Sequence, residues 1–333
     1  MKKIIAVGLC MYAAVLLAFA GGAKETQADD GAVTIGIAKI VQHAALDQVE
    51  QGVIDVITES GIAASYDLQN ANGDVNTAAQ IANKYKAEHV DAIVAIATPV
   101  AVAMASTITD IPIIFGTVND PVGAGLLSTT EHGEGNITGM SDALPIHTHL
   151  SVFKEIAGIE TLGYIYTSSE ANSVTAIEQI EAACAELGME LITQSITNSS
   201  EVKQAAEALA GRVDGVYLTT DNTVFSALPA LTSVFEQAKK PVFSADVTGA
   251  MEGGCMIASG FNYYKAGRAT GEIVVAVLNG TAPEEIPVRF MTEPADSDLL
   301  IDLDAAANCG ITIPESYLSQ ANMIYENGVL TQK

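Results

Sequence analysis

The chain has 333 residues, 49% apolar and only 17% charged, a composition that excludes disorder and a length beyond what one hydrophobic core usually organises. Acidic side chains outnumber basic ones 40 to 15, and the formal charge of −25 repels phosphate backbones and anionic lipid, which argues against a nucleic-acid partner. Four cysteines do not make a disulfide framework at this length, and with no Trp any aromatic recognition falls to Phe and Tyr.

The chain opens on the cationic Met1-Lys2-Lys3, runs uncharged from Ile4 to Leu17, and reaches Ala18-Phe19-Ala20 before Gly21-Gly22. Those are the three regions of a cleaved secretory signal peptide over 1–20, followed by a flexible polar linker over 21–32. The competing reading is a membrane anchor, because an apolar run of about 17 residues approaches the minimum for spanning. Cys10 lies inside the apolar run behind Leu9, which disfavours lipid attachment, although the state of the mature N-terminus stays open. Without Lys2 and Lys3, 13 basic residues face 40 acidic ones, so the exported chain is more acidic still. Cys184, Cys255 and Cys309 show no metal-ligand spacing, and since three is odd at least one thiol stays free, as a small buried hydrophobe.

From residue 33 onward, short β-branched runs alternate with longer helical patterns. Strands are expected at Val33–Val41, Ala64–Asn70, Val90–Ala97 and Ile111–Phe115, with helices at Ala45–Ser60 and Thr77–Glu88. Thr98-Pro99 opens a further helix, with Thr as N-cap and Pro in the first turn. The same plan recurs in strands Thr161–Tyr166, Glu190–Ile196, Val213–Thr219 and Pro241–Ser244, with helices Asn172–Leu187, Ser200–Ala210 and Val224–Ala238. A shift of 123 residues lays Thr77–Asp91 on Ser200–Asp214, each a helix followed by Val-Asp. This is an α/β protein of two lobes with parallel sheets. The Gly-, Asn- and Asp-rich Gly133–Pro145 suits a boundary, and the helix Lys265–Asn279 lacks a partner strand in the second lobe and is expected to return to the first. Lobe 1 is therefore placed at 33–141 plus about 264–290, and lobe 2 at 142–260 plus about 291–328, joined by a hinge.

Ligands of open parallel sheets bind beyond the carboxyl ends of the strands. In the first lobe those ends are Val41-Gln42-His43, Thr98-Pro99 and Gly116–Asp120; in the second they are Thr167–Ser173, Thr220–Thr223 and Ala245-Asp246. Glu170, Asp221 and Asp246 each sit at such an end, and Asp142 lies in the boundary segment. Carboxylates gathered round a cleft repel one another unless a cation lies among them, and a ligand ammonium would serve. Helix starts at Thr98-Pro99 and Ser168–Ser173 suit a carboxylate. Ammonium and carboxylate together describe an amino acid. Each residue also has a bland reading, since Asp221, Asn222 and Ser173 precede helices, where N-caps are favoured anyway.

Catalytic motifs are missing: there is no G-x-S-x-G elbow, Walker loop, G-x-G-x-x-G or H-E-x-x-H. His147-Thr-His149 reads as two exposed polar residues rather than a metal site, and His43 alone among the histidines is placed to touch a ligand. Neither enzyme, metal nor cofactor is expected.

The segments Val41–Asp47, Asp91–Pro99, Asn119–Leu126, Ser168–Ser173, Thr197–Val202, Thr220–Thr223 and Ile311–Ser316 together resemble the substrate-binding proteins of ABC transporters, in particular their TrpX-like branch. The resemblance covers about residues 33 to 325 and implies two Rossmann-like lobes of the type I periplasmic binding protein fold. It further implies an exported component, in the periplasm or on the outer face of the cytoplasmic membrane, that acts as a monomer. Such a component closes on an aromatic amino acid, tryptophan above all, and hands it to a permease with its ATPase. Carried onto this chain, Ser169-Glu170, Asn172-Ser173 and Asp221-Asn222 would hold the head group, with Asp246 near the ammonium and Thr98 and His43 closing from the other lobe; Pro99 beside Thr98 and Asp142 in the boundary segment are further candidates for the site. Tyr166, Phe261 and Tyr263 are candidate ring partners. A sugar or nucleoside ligand in the same fold, or an exported α/β hydrolase or isomerase pairing Glu170 with His43, are the competing readings.

Overall fold

A computed structural model describes residues 32–291 and 296–333; the expected leader and nearly all of the polar linker lie outside them. The first half contains β1 (Val33–Lys39), α1 (Ala44–Glu59), β2 (Ala64–Asn70), α2 (Val75–Glu88), β3 (Ala92–Ile96), α3 (Thr98–Thr107), β4 (Ile113–Gly116) and β5 (Ile137–Ser141). The second runs through α4 (Ile146–Ala157), β6 (Thr161–Thr167), α5 (Ala171–Leu187), β7 (Glu190–Ile196), α6 (Val202–Ala210), β8 (Gly215–Leu218), α7 (Asn222–Phe225), α8 (Leu228–Ala238), β9 (Val242–Ser244), α9 (Val247–Ala250) and β10 (Ile257–Phe261). The tail adds α10 (Tyr263–Leu278), β11 (Arg289–Phe290), β12 (Ser297–Asp302), α11 (Leu303–Cys309), α12 (Glu315–Leu318), β13 (Met323–Glu326) and β14 (Val329–Gln332).

Two sheets result. The first is parallel throughout, in the order β11-β5-β4-β3-β1-β2; the second runs β14-β13-β12-β10-β9-β8-β6-β7 and is parallel from β7 to β10. Taken from β2 and from β7, the first five strands of each sheet follow the same order, so this is a two-lobe α/β fold built twice on one plan. The continuous apolar runs explain the parallel pairing: every residue of β3 and β4 is buried, as expected of strands covered on both faces. The repeated Val-Asp does the same work in each lobe. Asp91 Oδ2 accepts from the Thr34 amide at 2.7 Å, and Asp214 Oδ2 accepts from the Thr161 amide at 2.8 Å, each carboxylate satisfying the start of the strand next to its sheet's edge, β1 or β6.

Helix α10 packs on α1 in the first lobe, and glycines set how closely. A Cβ on Gly267 would lie 2.2 Å from the Val49 carbonyl oxygen, and one on Gly52 would lie 2.4 Å from that of Tyr264. Tyr264 Oη donates to Asp55 across the same seam at 2.8 Å. Strand β11 then joins β5 in the first sheet, and β12 returns to the second.

Three local expectations need correction. The helix expected over Val224–Ala238 is two helices, because Pro229 in the first turn of α8 lacks an amide hydrogen and disfavours helical backbone just before it. The boundary segment Gly133–Pro145 is not all linker, since Ile137–Ser141 forms β5 and pairs with β4. His149 is buried rather than exposed; its Nδ1 meets Tyr217 Oη at 3.0 Å and burial lowers its pKa to about 4, while His147 stays at the surface. All three described cysteines are free, and Cys184 and Cys255 are buried.

Candidate functional site

The carboxyl ends of both sheets line one cavity. From the first lobe come His43 and Leu46 after β1, Ala97 and Thr98 after β3, and Thr117 and Asn119 after β4. From the second come Asn172 after β6, Thr220, Asn222 and Phe225 after β8, and Asp246 after β9; Asp142 and Tyr263 enter from two segments that link the lobes. These ends flank the β1–β3 and β6–β8 pairs, where strand order reverses and helices leave on opposite faces, opening a crevice. The cavity is nearly shut, at about 10 Å³, which is room for about one water. Two wider depressions adjoin it: one of about 250 Å³ shares His43, Phe225 and Asp246, and one of about 220 Å³ shares Asn119 and Asn172.

Direct bonds close the lobes on each other. Thr220 Oγ donates to Asn119 Oδ1 at 3.0 Å, and His43 Nε2 lies 3.4 Å from Asn222 Oδ1. Asn119 also donates through Nδ2 to the Asp142 carbonyl at 3.1 Å, tying the end of β4 to the linking segment.

Backbone strain gathers at the same place. Ala97 and Thr117 hold φ of 76° and 55°, left-handed values that cost a residue with a Cβ. The turn between β3 and α3 is braced by the Ala97 amide donating to the Gly116 carbonyl at 2.9 Å. The turn brings Ala97 and Thr98 into the cavity lining at the start of α3, where the first amides of a helix have no carbonyl within it to meet.

Among the described residues, three buried side-chain polar atoms lack a hydrogen-bond partner: Thr98 Oγ, Asp142 Oδ1 and Asn172 Oδ1. All three belong to cavity-lining residues, drawn from both lobes and the segment between them. A buried acceptor without a donor costs free energy, so such atoms clustered in one place mark a site that something else completes. No Lys or Arg is among the described residues lining it, which leaves two carboxylates there without a countercharge. Burial, reinforced by the neighbouring Asp246 carboxylate, raises the Asp142 pKa to about 7, and burial raises that of Asp246 to about 6. Burial also lowers His43.

The structure brings His43, Thr98, Asp142, Asn172, Asn222 and Asp246 together and leaves the other expected site residues out of the lining. Pro99 is buried in the first turn of α3, Ser169 is exposed, and Ser173 is buried with its carbonyl accepting from Tyr164 Oη at 2.9 Å. Asp221 caps α7 through the Val224 amide at 2.9 Å and accepts from the Thr167 amide and hydroxyl at 2.6 and 2.8 Å, so its carboxylate is occupied behind the wall. Glu170 is likewise turned inward, onto Asn222 and Thr223. Phe261 is buried at the end of β10, and Tyr166 stacks on Tyr164 with ring centroids 5.8 Å apart. Of the three candidate ring partners only Tyr263 lines the cavity. Thr117, Asn119 and Thr220 lie within the strand-end segments already marked in the sequence. Leu46 and Phe225 were missed; each sits three residues beyond a lining residue, one helical turn on, a spacing that could have found them.

The chain is similar to several known proteins. A tyrosine-binding protein of Clostridioides difficile is 34% identical over 275 residues, covering 81% of this chain and 79% of the relative. The crystal structure of an ABC domain in complex with L-Trp from Streptococcus pneumonia is 31% identical, covers 88% of this chain and 99% of its own, and superposes with a TM-score of 0.83. A ligand-free, open substrate-binding protein from Clostridium difficile is 34% identical over 85% of this chain and 96% of its own, yet its TM-score is 0.63. At nearly equal identity, this chain therefore superposes better on the L-Trp complex than on the open protein. The family model described as ABC transporter substrate binding protein matches residues 34–324, and the chain belongs to that family.

Proposed function

We propose that the protein captures an aromatic amino acid between its closing lobes and delivers it to the permease and ATPase of an ABC importer. The observation that carries this reading is the convergence of Thr98 Oγ, Asp142 Oδ1 and Asn172 Oδ1, unpartnered and buried, on one acid-rich cavity. An ammonium has three donors and no acceptor, so it suits two bare acceptors and a hydroxyl, and it supplies the positive charge that Asp142 and Asp246 lack. The solute's carboxylate would meet the first-turn amides of α3, at the positive end of that helix dipole. Phe225 and Tyr263 are the ring surfaces within reach. The tyrosine and tryptophan in the names of the two relatives support the same class of solute.

In this reading the solute touches both lobes and therefore binds the closed form more tightly than the open one, which is what drives closure. The closed cavity holds about one water, so the solute enters through the open form and the lining side chains move aside to seat it. The protein binds and releases without chemistry. Substrate-binding proteins of ABC transporters work outside the cytoplasm, which agrees with the exported start read in the sequence; no helix of the described residues is long and apolar enough to cross a membrane. We place the protein in the periplasm or on the outer face of the cytoplasmic membrane, acting as a monomer.

Thermal shift of the purified mature chain against the twenty amino acids, sugars and nucleosides tests the reading. A solute that binds only the folded state stabilises it by about 3 kcal/mol at a hundredfold excess over Kd. Shifts confined to tyrosine, phenylalanine or tryptophan are expected. A shift with a sugar or nucleoside and none with any amino acid would overturn it.

A further inference from the structure

Glu170 lines no part of the cavity, yet its bonds control what the cavity presents. It is buried, and its Oε1 accepts from the Thr223 amide at 2.9 Å and the Thr223 hydroxyl at 2.7 Å. Its Oε2 accepts from the Asn222 amide at 3.1 Å, from Asn222 Nδ2 at 2.7 Å and from Asn172 Nδ2 at 3.4 Å. Each oxygen thus takes a backbone N–H that can only donate, an arrangement suited to the ionised carboxylate, although burial and the Asp221 carboxylate push the group's pKa up.

An ionised carboxylate accepts and cannot donate. The end of the Asn222 amide that meets it must therefore be nitrogen, which turns Oδ1 towards His43 and the cavity. Asn172 is held the same way: its nitrogen meets Oε2 and, at 3.1 Å, the Thr220 carbonyl, both of which only accept. The unpartnered atom left on Asn172 is then Oδ1.

We infer that Glu170 is a positioning residue that sets the hydrogen-bond polarity of the cleft, holding the NH2 groups of Asn172 and Asn222 behind the wall so that both present oxygen to the solute. With Asp142 Oδ1 beside them, this face asks for a group that donates only. An ammonium qualifies, whereas a hydroxyl, which donates one hydrogen and otherwise accepts, fits poorly. The assignment rests on the amino-acid reading and adds the residue that enforces it from outside the contact surface.

In Glu170→Gln one end of the new amide donates. Facing Asn222, it drives the Asn222 amide to flip and show NH2 to the cavity; facing Thr223, it loses its hold on the donors there. Either way a buried N–H loses its acceptor, so a lower Tm is expected and decides nothing. The deciding measurement is calorimetric titration at pH 8 with phenylalanine, tyrosine and tryptophan and the 2-hydroxy acid analogue of each. For the tightest-binding pair the wild type is expected to prefer the ammonium compound roughly a hundredfold, and Glu170→Gln to cut that ratio by about tenfold or more. Thr223→Val removes one donor from Glu170 without touching the cavity and is expected to cut it about threefold; if Glu170→Gln does not fold, this variant decides alone. A purely structural role weakens both compounds equally. An unchanged ratio in the folded variants, beside a strong preference in the wild type, overturns the assignment and leaves the amino-acid reading standing. A wild type that binds no amino acid defeats that reading and this assignment with it.

Discussion

Asp142→Asn is expected to make the empty protein more stable and the binding protein worse, with both effects growing as pH rises. Burial, with the neighbouring Asp246 carboxylate, raises the Asp142 pKa to about 7, against an ordinary carboxyl value of 3.8. A carboxyl whose pKa is raised by folding binds more protons folded than unfolded, so stability falls as pH rises from about 4 to about 7 and levels off above that. A shift of about three units corresponds to roughly 4 kcal/mol between the two limits, an order-of-magnitude value. Solute binding has the opposite slope, because the ammonium needs the ionised form. With a pKa of about 7, roughly nine-tenths of Asp142 is ionised at pH 8 but only about one hundredth at pH 5, so affinity is expected to fall about ninetyfold, or about 3 kcal/mol. Asparagine resembles the neutral carboxyl at both pH values. Urea melts of the empty proteins at pH 5 and pH 8 are therefore expected to show the variant ahead of the wild type by roughly 2 kcal/mol at pH 5 and by roughly 4 kcal/mol at pH 8. Titration with the preferred amino acid is expected to give the variant a weak affinity that barely changes between those pH values. The same pH slope for stability and for affinity in both proteins would refute the reasoning, since it would mean that Asp142 neither carries a strained charge nor meets a cation.

Two further outcomes test the packing and the closed state. Gly267→Ala is expected to destabilise the first lobe by about 1–3 kcal/mol in urea unfolding, since its Cβ would land 2.2 Å from a backbone oxygen of α1 and force the helices apart; an unchanged midpoint would contradict that seam. Thr220→Val removes the hydroxyl that binds Asn119 across the lobes at 3.0 Å, a bond worth about 1 kcal/mol, so the closed form should lose about fivefold in population. Small-angle scattering of the empty variant is expected to give a larger radius of gyration, with solute restoring it; equal radii with and without the substitution would show that this bond does not hold the lobes together.

Much of this molecule was legible because its signals are local. Buried parallel strands show as unbroken runs such as Ala92–Ile96, and helices as apolar stripes such as Leu46, Val49, Val53 and Val56 on α1. Since ligands collect at the carboxyl ends of such strands, recognising the strands already located His43, Thr98, Asn222 and Asp246. The exceptions are equally physical. Pro229 splits a helical pattern whose periodicity alone runs straight through it, and His149, polar and beside an exposed histidine, is buried because Tyr217 is there to meet it.

What a single sequence determined, then, is the two-lobe α/β plan, the acidic cleft and the set of segments that border it. It could not say which way each polar side chain faces. Glu170, Asp221, Asp142 and Asp246 look alike as acids near strand ends, and only the tertiary structure sorts them. Two are turned away from the cleft because donors from neighbouring segments, Thr167, Asn222 and Thr223, surround them, while Asp142 lines it with an oxygen left bare. A carboxylate points where its donors are, and those donors lie about fifty residues away along the chain, together only once the sheet has formed.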